Sequence, residues 1–254
     1  MLCALGIMTK APRAGAVKTR LVPPLTHEEA AALSVCFLRD TAANIAGIAS
    51  VEAAEGVAVY TPVGAETAFD NLLHTGFSLL AQRGDGFGER LYHAAEDLLA
   101  LGYQSLCLID SDSPTLPRSL LAEAVRALAR TGDRVVIGPS DDGGYYLIGL
   151  KQAHRRLFED INWSTSQVLA QTVERAASIG LEVLMLPSWY DVDDGSSLGR
   201  LCDELFGHES VGASQNGLAG YEAEHTRRYL ARIIDAEGQG RIWPDGVART
   251  EAAS

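Results

Sequence analysis

Short apolar runs alternate along this chain with longer stretches in which apolar residues recur every three or four positions. Residues 2–8, 57–60, 78–81, 106–109, 134–138, 145–148 and 181–186 read as strands. Helical spacing fills 26–46, 89–101, 117–129, 164–178, 195–206 and 221–236, with a short helix expected over 66–74. Thr26 with Glu29 three residues on fits a capping box, and Ser164 with Gln167 fits a second. Gly102 suits a helix C-terminus and Pro117 a first turn. Strands alternating with helices predict an α/β protein: a three-layer α/β/α, Rossmann-like arrangement around a mixed, mostly parallel sheet. No internal repeat is evident.

Composition narrows the picture. The chain has 254 residues, and at 47% hydrophobic it has ample material for a core. Its net charge of -12 disfavours a sequence-independent grip on nucleic acid. The four cysteines, Cys3, Cys36, Cys107 and Cys202, lack metal spacing and suit a reducing cytoplasm. The apolar start is too short to cross a bilayer and lacks a basic leader, so no membrane partner is expected. Residues 1–206 read as one α/β domain, and 207–254 as a linker, a C-terminal helix and a loose tail.

The chemistry-bearing residues fall just after strands, where open α/β sheets bind ligands. After the first strand, Lys10, Arg13, Lys18 and Arg20 crowd a loop that also holds Gly15. Cations and backbone amides on a flexible loop suit phosphate oxygens, although the spacing is not that of a Walker A loop. After the third strand come Gln82, Gly84, Gly86 and Gly88. After the fourth come Asp110 and Asp112, carboxylates close enough to repel unless a cation lies between them. Oxygen-only ligands favour Mg²⁺ or Mn²⁺ shared with phosphate. By itself, Asp-x-Asp also suits a strand-end turn. Asp141-Asp142-Gly143-Gly144 is a turn signal that reads either as a plain hairpin or as a ligand border. Asp191-Val192-Asp193 is a second acidic strand end, which helix capping would also explain.

Taken in order, these residues resemble the glycosyltransferase-A-type nucleotide-diphospho-sugar transferase superfamily. The likeness is carried by Lys10-Ala11-Pro12 with Lys18-Thr19-Arg20-Leu21, Gln82 with Gly84-Asp85, Gly88 and Arg90, and Asp110-Ser111-Asp112-Ser113-Pro114. Gly138-Pro139, Asp142-Gly143-Gly144-Tyr145-Tyr146, Trp163-Ser164-Thr165 and Asp191-Val192-Asp193 continue it, and 226–230 resembles the C-terminal helix. The pattern is closest to the bacterial radical-SAM/selenodomain-associated transferase 1 family. The resemblance implies that Lys18 and Arg20 hold nucleotide phosphates, with Lys10, Arg13 and Gly15 assisting. It implies that Gln82, Gly84 and Gly88 meet the base or ribose. Asp112 becomes the principal metal ligand, with Asp110 and Asp193 beside it, and Asp142, Gly143 and Gly144 border the acceptor. Two positions depart from the family: a small residue is usual at Asp110, and Thr at Asp194.

The resulting expectation is a Mg²⁺-dependent (or Mn²⁺-dependent) transferase that nucleotidylates a small phosphorylated or carboxylated acceptor from a nucleoside triphosphate. Lys18, Arg20 and Asp112 would carry the chemistry. A glycosyltransferase using a nucleotide-sugar donor is the alternative, and a non-catalytic nucleotide-binding module is a third reading.

Overall fold

A computed structural model describes residues 1–207 and 217–244. Strands β1 (Cys3–Lys10), β2 (Ala54–Thr61), β3 (Ser78–Ala81), β4 (Ser105–Ile109), β5 (Arg134–Pro139), β6 (Tyr145–Leu150) and β7 (Glu182–Met185) form a single sheet. Their order is β3-β2-β1-β4-β6-β5-β7, and only β6 runs against its neighbours. The described helices are α1 (His27–Ala49), α2 (Phe87–Ala100), α3 (Arg118–Ala129), α4 (Val168–Ser178), α5 (Gly195–Phe206) and α6 (Glu224–Glu237).

Period-two alternation divides the strands between two cores. Cys3, Leu5 and Ile7 of β1, with Cys107 and Ile109 of β4, face the layer containing Leu33, Phe37, Leu120 and Leu198. Ala4, Leu106 and Leu108 point the other way, toward Leu91, Ala95, Leu98 and Ala176. Both faces of the sheet are therefore covered, as a parallel sheet requires. Helix α1 is long and apolar enough to cross a membrane by length and composition, yet Leu33, Phe37, Leu38 and Ile45 are buried in the core. Its N-terminus carries the expected capping box, with Thr26 Oγ1 accepting from Glu29 N.

Three local expectations need correction. The helix expected over 66–74 is only a 3₁₀ turn, Glu66–Phe69. Phe69 drops into the core beside Tyr60, and Asn71 takes a left-handed backbone that ends any continuation. The second capping box does not form. Ser164 lies at φ 62°, and Thr165 Oγ1 accepts from Gln167 N instead. The tail is not loose as far as residue 244. Arg241 pairs with Glu29, Ile242 is buried, and Trp243 Nε1 donates to Asp203. The N-terminus of α6 is held by Asp40, a buried carboxylate that accepts from His225 N and Thr226 N. Leu230 and Ile233 then join the α1 side of the core. Most of the expected linker after Gly207, at 208–216, lies outside the described residues, as does the tail from 245 to 254.

Candidate functional site

Strands β2 and β3 lie to one side of β1, and the chain then crosses to β4 on the other. This is a topological switch point, and the crevice beyond the carboxyl ends of β1 and β4 is where ligands bind in such sheets. A cavity of about 340 Å³ opens there, within the range of small-molecule sites. Lys10, Lys18 and Arg20 of the first loop line it, with Gln82, Ser111, Asp112 and Asp193. Four of the five loops singled out by sequence thus contribute to one crevice. The backbone ties two of them together, since Val192 N donates to Asp112 O at 2.9 Å.

One end is built on Lys18. Its side chain is only 5% exposed, and Nζ reaches Asp112 Oδ1 at 2.8 Å, Asp193 Oδ1 at 3.0 Å and Val192 O at 2.7 Å. Three donors meet three acceptors, so the ammonium is fully satisfied. The Phe37 ring lies 5.5 Å from Nζ. Burial works against this charge, but Asp112 and Asp193 outweigh it and raise the Lys18 pKa. Lys18 itself sits in the left-handed region at φ 49°, a backbone conformation that other contacts must hold in place. Arg20 pairs with the other oxygen of Asp193. Burial pushes the Asp193 pKa up, but Lys18 and then Arg20 override it, and the net shift is downward.

The three proposed metal-binding carboxylates occupy different environments. Asp110 is drawn inward. Its Oδ2 accepts from Ser113 Oγ at 2.9 Å and its Oδ1 from Asp112 N at 3.2 Å. Burial, and then the neighbouring Asp112 charge, push its pKa well above the ordinary carboxylate value. Asp193 has both oxygens engaged by cations. Asp112 alone keeps an oxygen, Oδ2, without a hydrogen-bond partner among the described residues, and its side chain is 37% exposed to the crevice. Among the described residues, no three acidic, His or Cys side chains form a metal-sized group. The cation between Asp112 and Asp193 is the Lys18 ammonium. A divalent ion fits only as Mg²⁺ commonly binds, on one carboxylate with ligand phosphates completing its shell. Asp194, where Thr was expected, caps α5 by accepting from Ser197 N, which explains why either residue serves there.

The other end is built from the loop after β3 and the first turn of α2. Gln82 is buried, and its Nε2 donates to Val59 O at 2.8 Å and Thr9 O at 3.3 Å. Both partners are carbonyls, so the amide orientation is fixed and Oε1 remains as an acceptor in the crevice wall. Phe87 and Arg90 also line the cavity, as does Ser34 from α1. Sequence reasoning assigned none of these three to the site. Arg90 could have been found, because it belongs to the motif that carried the resemblance. Ser34 and Phe87 had no such signal.

Several expected site residues do not reach the cavity wall. Arg13 and Gly15 are exposed on the first loop, outside the lining. Gly84 takes φ 112° in a turn closed by Glu89, whose Oε2 accepts from Asp85 N. Gly88 is a packing glycine. A Cβ there would lie 2.7 Å from both Phe158 O and Trp163 Nε1. Asp142, Gly143 and Gly144 form the β5–β6 turn, where Asp142 Oδ1 accepts from Gly144 N and Gly143 O accepts from Leu169 N of α4. That turn abuts the helix, and none of its three residues lines the cavity.

Comparison with solved structures places the fold. A provisionally named nucleotide-diphospho-sugar transferase from Desulfovibrio desulfuricans G20 superposes with a TM-score of 0.75 at 29% identity, over 92% of this chain and 96% of that one. The fold is that of the nucleotide-diphospho-sugar transferases. A cytidylyltransferase from Leptospira borgpetersenii serovar Hardjo-bovis shares the same fold at 12% identity and a TM-score of 0.50, over 95% of this chain and 97% of that one. Residues 44–165, just under half of the chain, match the family model described as an uncharacterized protein conserved in bacteria, DUF2064. No curated protein matches the chain.

Proposed function

We propose that this protein is a metal-dependent nucleotidyltransferase acting from a nucleoside triphosphate on a small phosphorylated or carboxylated acceptor. One observation carries the reading. In a chain of net charge -12, Lys10, Lys18, Arg20 and Arg90 converge on one crevice against only Asp112 and Asp193. A crevice with cations in surplus on an acidic protein is a local anion site, and its size and position suit a nucleotide polyphosphate.

In this reading an acceptor oxygen attacks the α-phosphorus and pyrophosphate leaves. Lys10 and Arg20 meet the phosphate oxygens directly, and Lys18 fixes Asp112 where an ion carried in by the polyphosphate would be held. Mg²⁺ or Mn²⁺ bound there would neutralise charge on phosphoryl oxygens. Losing one such electrostatic contact costs about 3 kcal/mol in a transition state. Gln82 Oε1 accepts from an N–H of the base. The ordered motifs favour the radical-SAM/selenodomain-associated transferase 1 family, and four free cysteines fit a cytoplasmic protein.

The test is a donor panel: each nucleoside triphosphate and common nucleotide sugars, with candidate acceptors, with and without Mg²⁺. Pyrophosphate release that disappears in Asp112→Ala is the expected result. Release of a nucleoside diphosphate from a sugar donor would assign glycosyl transfer instead. Binding without turnover of any donor would leave a nucleotide-binding module.

A further inference from the structure

Phe87 is a large aromatic residue left 49% exposed, and it lines the candidate crevice. It is braced from behind. The Trp163 ring meets it edge-on, with centroids 5.1 Å apart and planes at 83°. Trp163 can stand there because Gly88 has no side chain to block it. The ring is therefore packed against Trp163 on one side while it lines the cavity.

Its neighbours suit a planar, polar, anionic ligand. Arg90 lies one helical turn on and also lines the cavity. Its guanidinium bonds only to the backbone carbonyls of Gly84 and Asp85, so no carboxylate among the described residues neutralises it. Gln82 presents a fixed acceptor in the same wall. An aromatic ring, an uncompensated cation and a fixed acceptor in one wall form a set that can read a nucleobase carrying phosphate. Successive bases stack on such faces without regard to sequence, while the acceptor supplies selectivity.

We propose that Phe87 is the stacking platform for the base of the bound nucleotide, an affinity-determining residue at the end of the crevice away from Asp112. The proposal rests on the nucleotide reading above. Base–aromatic stacking sets the expected loss on truncation at about tenfold in affinity.

The experiment measures binding of ATP, GTP, CTP, UTP and base-free inorganic tripolyphosphate to the full chain by calorimetry. Phe87→Ala, Phe87→Leu and Phe87→Trp are compared with the unaltered protein. Phe87→Ala and Phe87→Leu should lose about tenfold toward the preferred nucleotide and nothing toward tripolyphosphate. Phe87→Trp should keep its affinity. Equal weakening toward both ligands in Phe87→Ala, or no weakening at all, overturns the platform while leaving the nucleotide site standing. If the unaltered protein prefers no nucleotide over tripolyphosphate, base recognition fails and the phosphate site survives. If it binds none of the five, the nucleotide reading itself falls, and the platform with it.

Discussion

The two ends of the crevice treat charge in opposite ways. At the Asp112 end, Lys18 and Arg20 are matched by Asp112 and Asp193, and the ammonium has no donor to spare. At the Gln82 end, Arg90 touches only backbone carbonyls, and Lys10 does the same, donating to Ala16 O. A cation that is matched and buried, as Lys18 is, holds loops together and fixes geometry, whereas one left exposed, as Arg20 is, or without a counter-charge is ready for an anionic ligand. Lys18 was expected to grip phosphate. The structure gives it the more internal task of joining the loops after β1, β4 and β7.

That contrast is most exposed by removing Lys18. Lys18→Met leaves two carboxylates facing each other with no cation between. Breaking a fully buried pair costs about 3–5 kcal/mol. Asp112 and Asp193 are each about a third exposed, so screening trims the expected loss to about 2–3 kcal/mol. Chemical denaturation at neutral pH measures it. Unchanged stability would mean that Lys18 is as free as Lys10.

Gly88→Ala sharpens the comparison from the other end. The added methyl meets the Phe158 carbonyl and the Trp163 ring, and one of them must move. Overpacking of this kind costs about 1–3 kcal/mol. Trp163 is the mobile partner, so its fluorescence should change and Phe87 should lose its brace. A variant with unaltered fluorescence and melting temperature would return Gly88 to the list of ligand contacts.

Lys10→Ala and Arg90→Ala should do the reverse of Lys18→Met. Neither breaks an ion pair, so folding stability should hold to within about 0.5 kcal/mol. Affinity for a polyphosphate should fall by about tenfold for each, since a charge-assisted contact is worth about 1.5–3 kcal/mol before solvent screening. Calorimetry with tripolyphosphate reads this directly. A stability loss with no change in binding would show that these cations, too, serve the fold.

Sequence carried the architecture well and the site unevenly, for physical reasons. Apolar runs and the Thr26–Glu29 capping box are local signals, and the strands and α1 followed from them. The clustering of Lys18 with Asp112 and Asp193 was legible only as a shared strand-end location. Whether an ammonium faces a carboxylate or replaces a metal between two of them depends on contacts across as much as 175 residues of chain. Asp193 and Asp194 are adjacent and identical in type, yet one belongs to the crevice and the other caps a helix. Only the phase of α5 decides between them. Phe87 was hidden for a different reason: an exposed aromatic after a glycine-rich loop gives no periodic signal, and its importance comes from Trp163, far along the chain.

The smallest effect follows from the titration of Asp193. Lys18 and Arg20 hold its folded pKa below the unfolded value of about 3.9. A depressed acid contributes stability that is fully present above the unfolded pKa and disappears as pH falls through the folded one. Asp193→Asn removes that contribution at every pH. The side chain is 34% exposed, which limits the loss at neutral pH to about 1 kcal/mol or less. The stability gap between the two proteins should therefore be constant from pH 7 down to about pH 4, then close as the native carboxylate takes up its proton. Parallel melting curves across that window measure it. A gap that instead widened toward acid would mean that Asp193 is a strained, unpaired carboxylate, and the matched-charge account of this end of the crevice would be wrong.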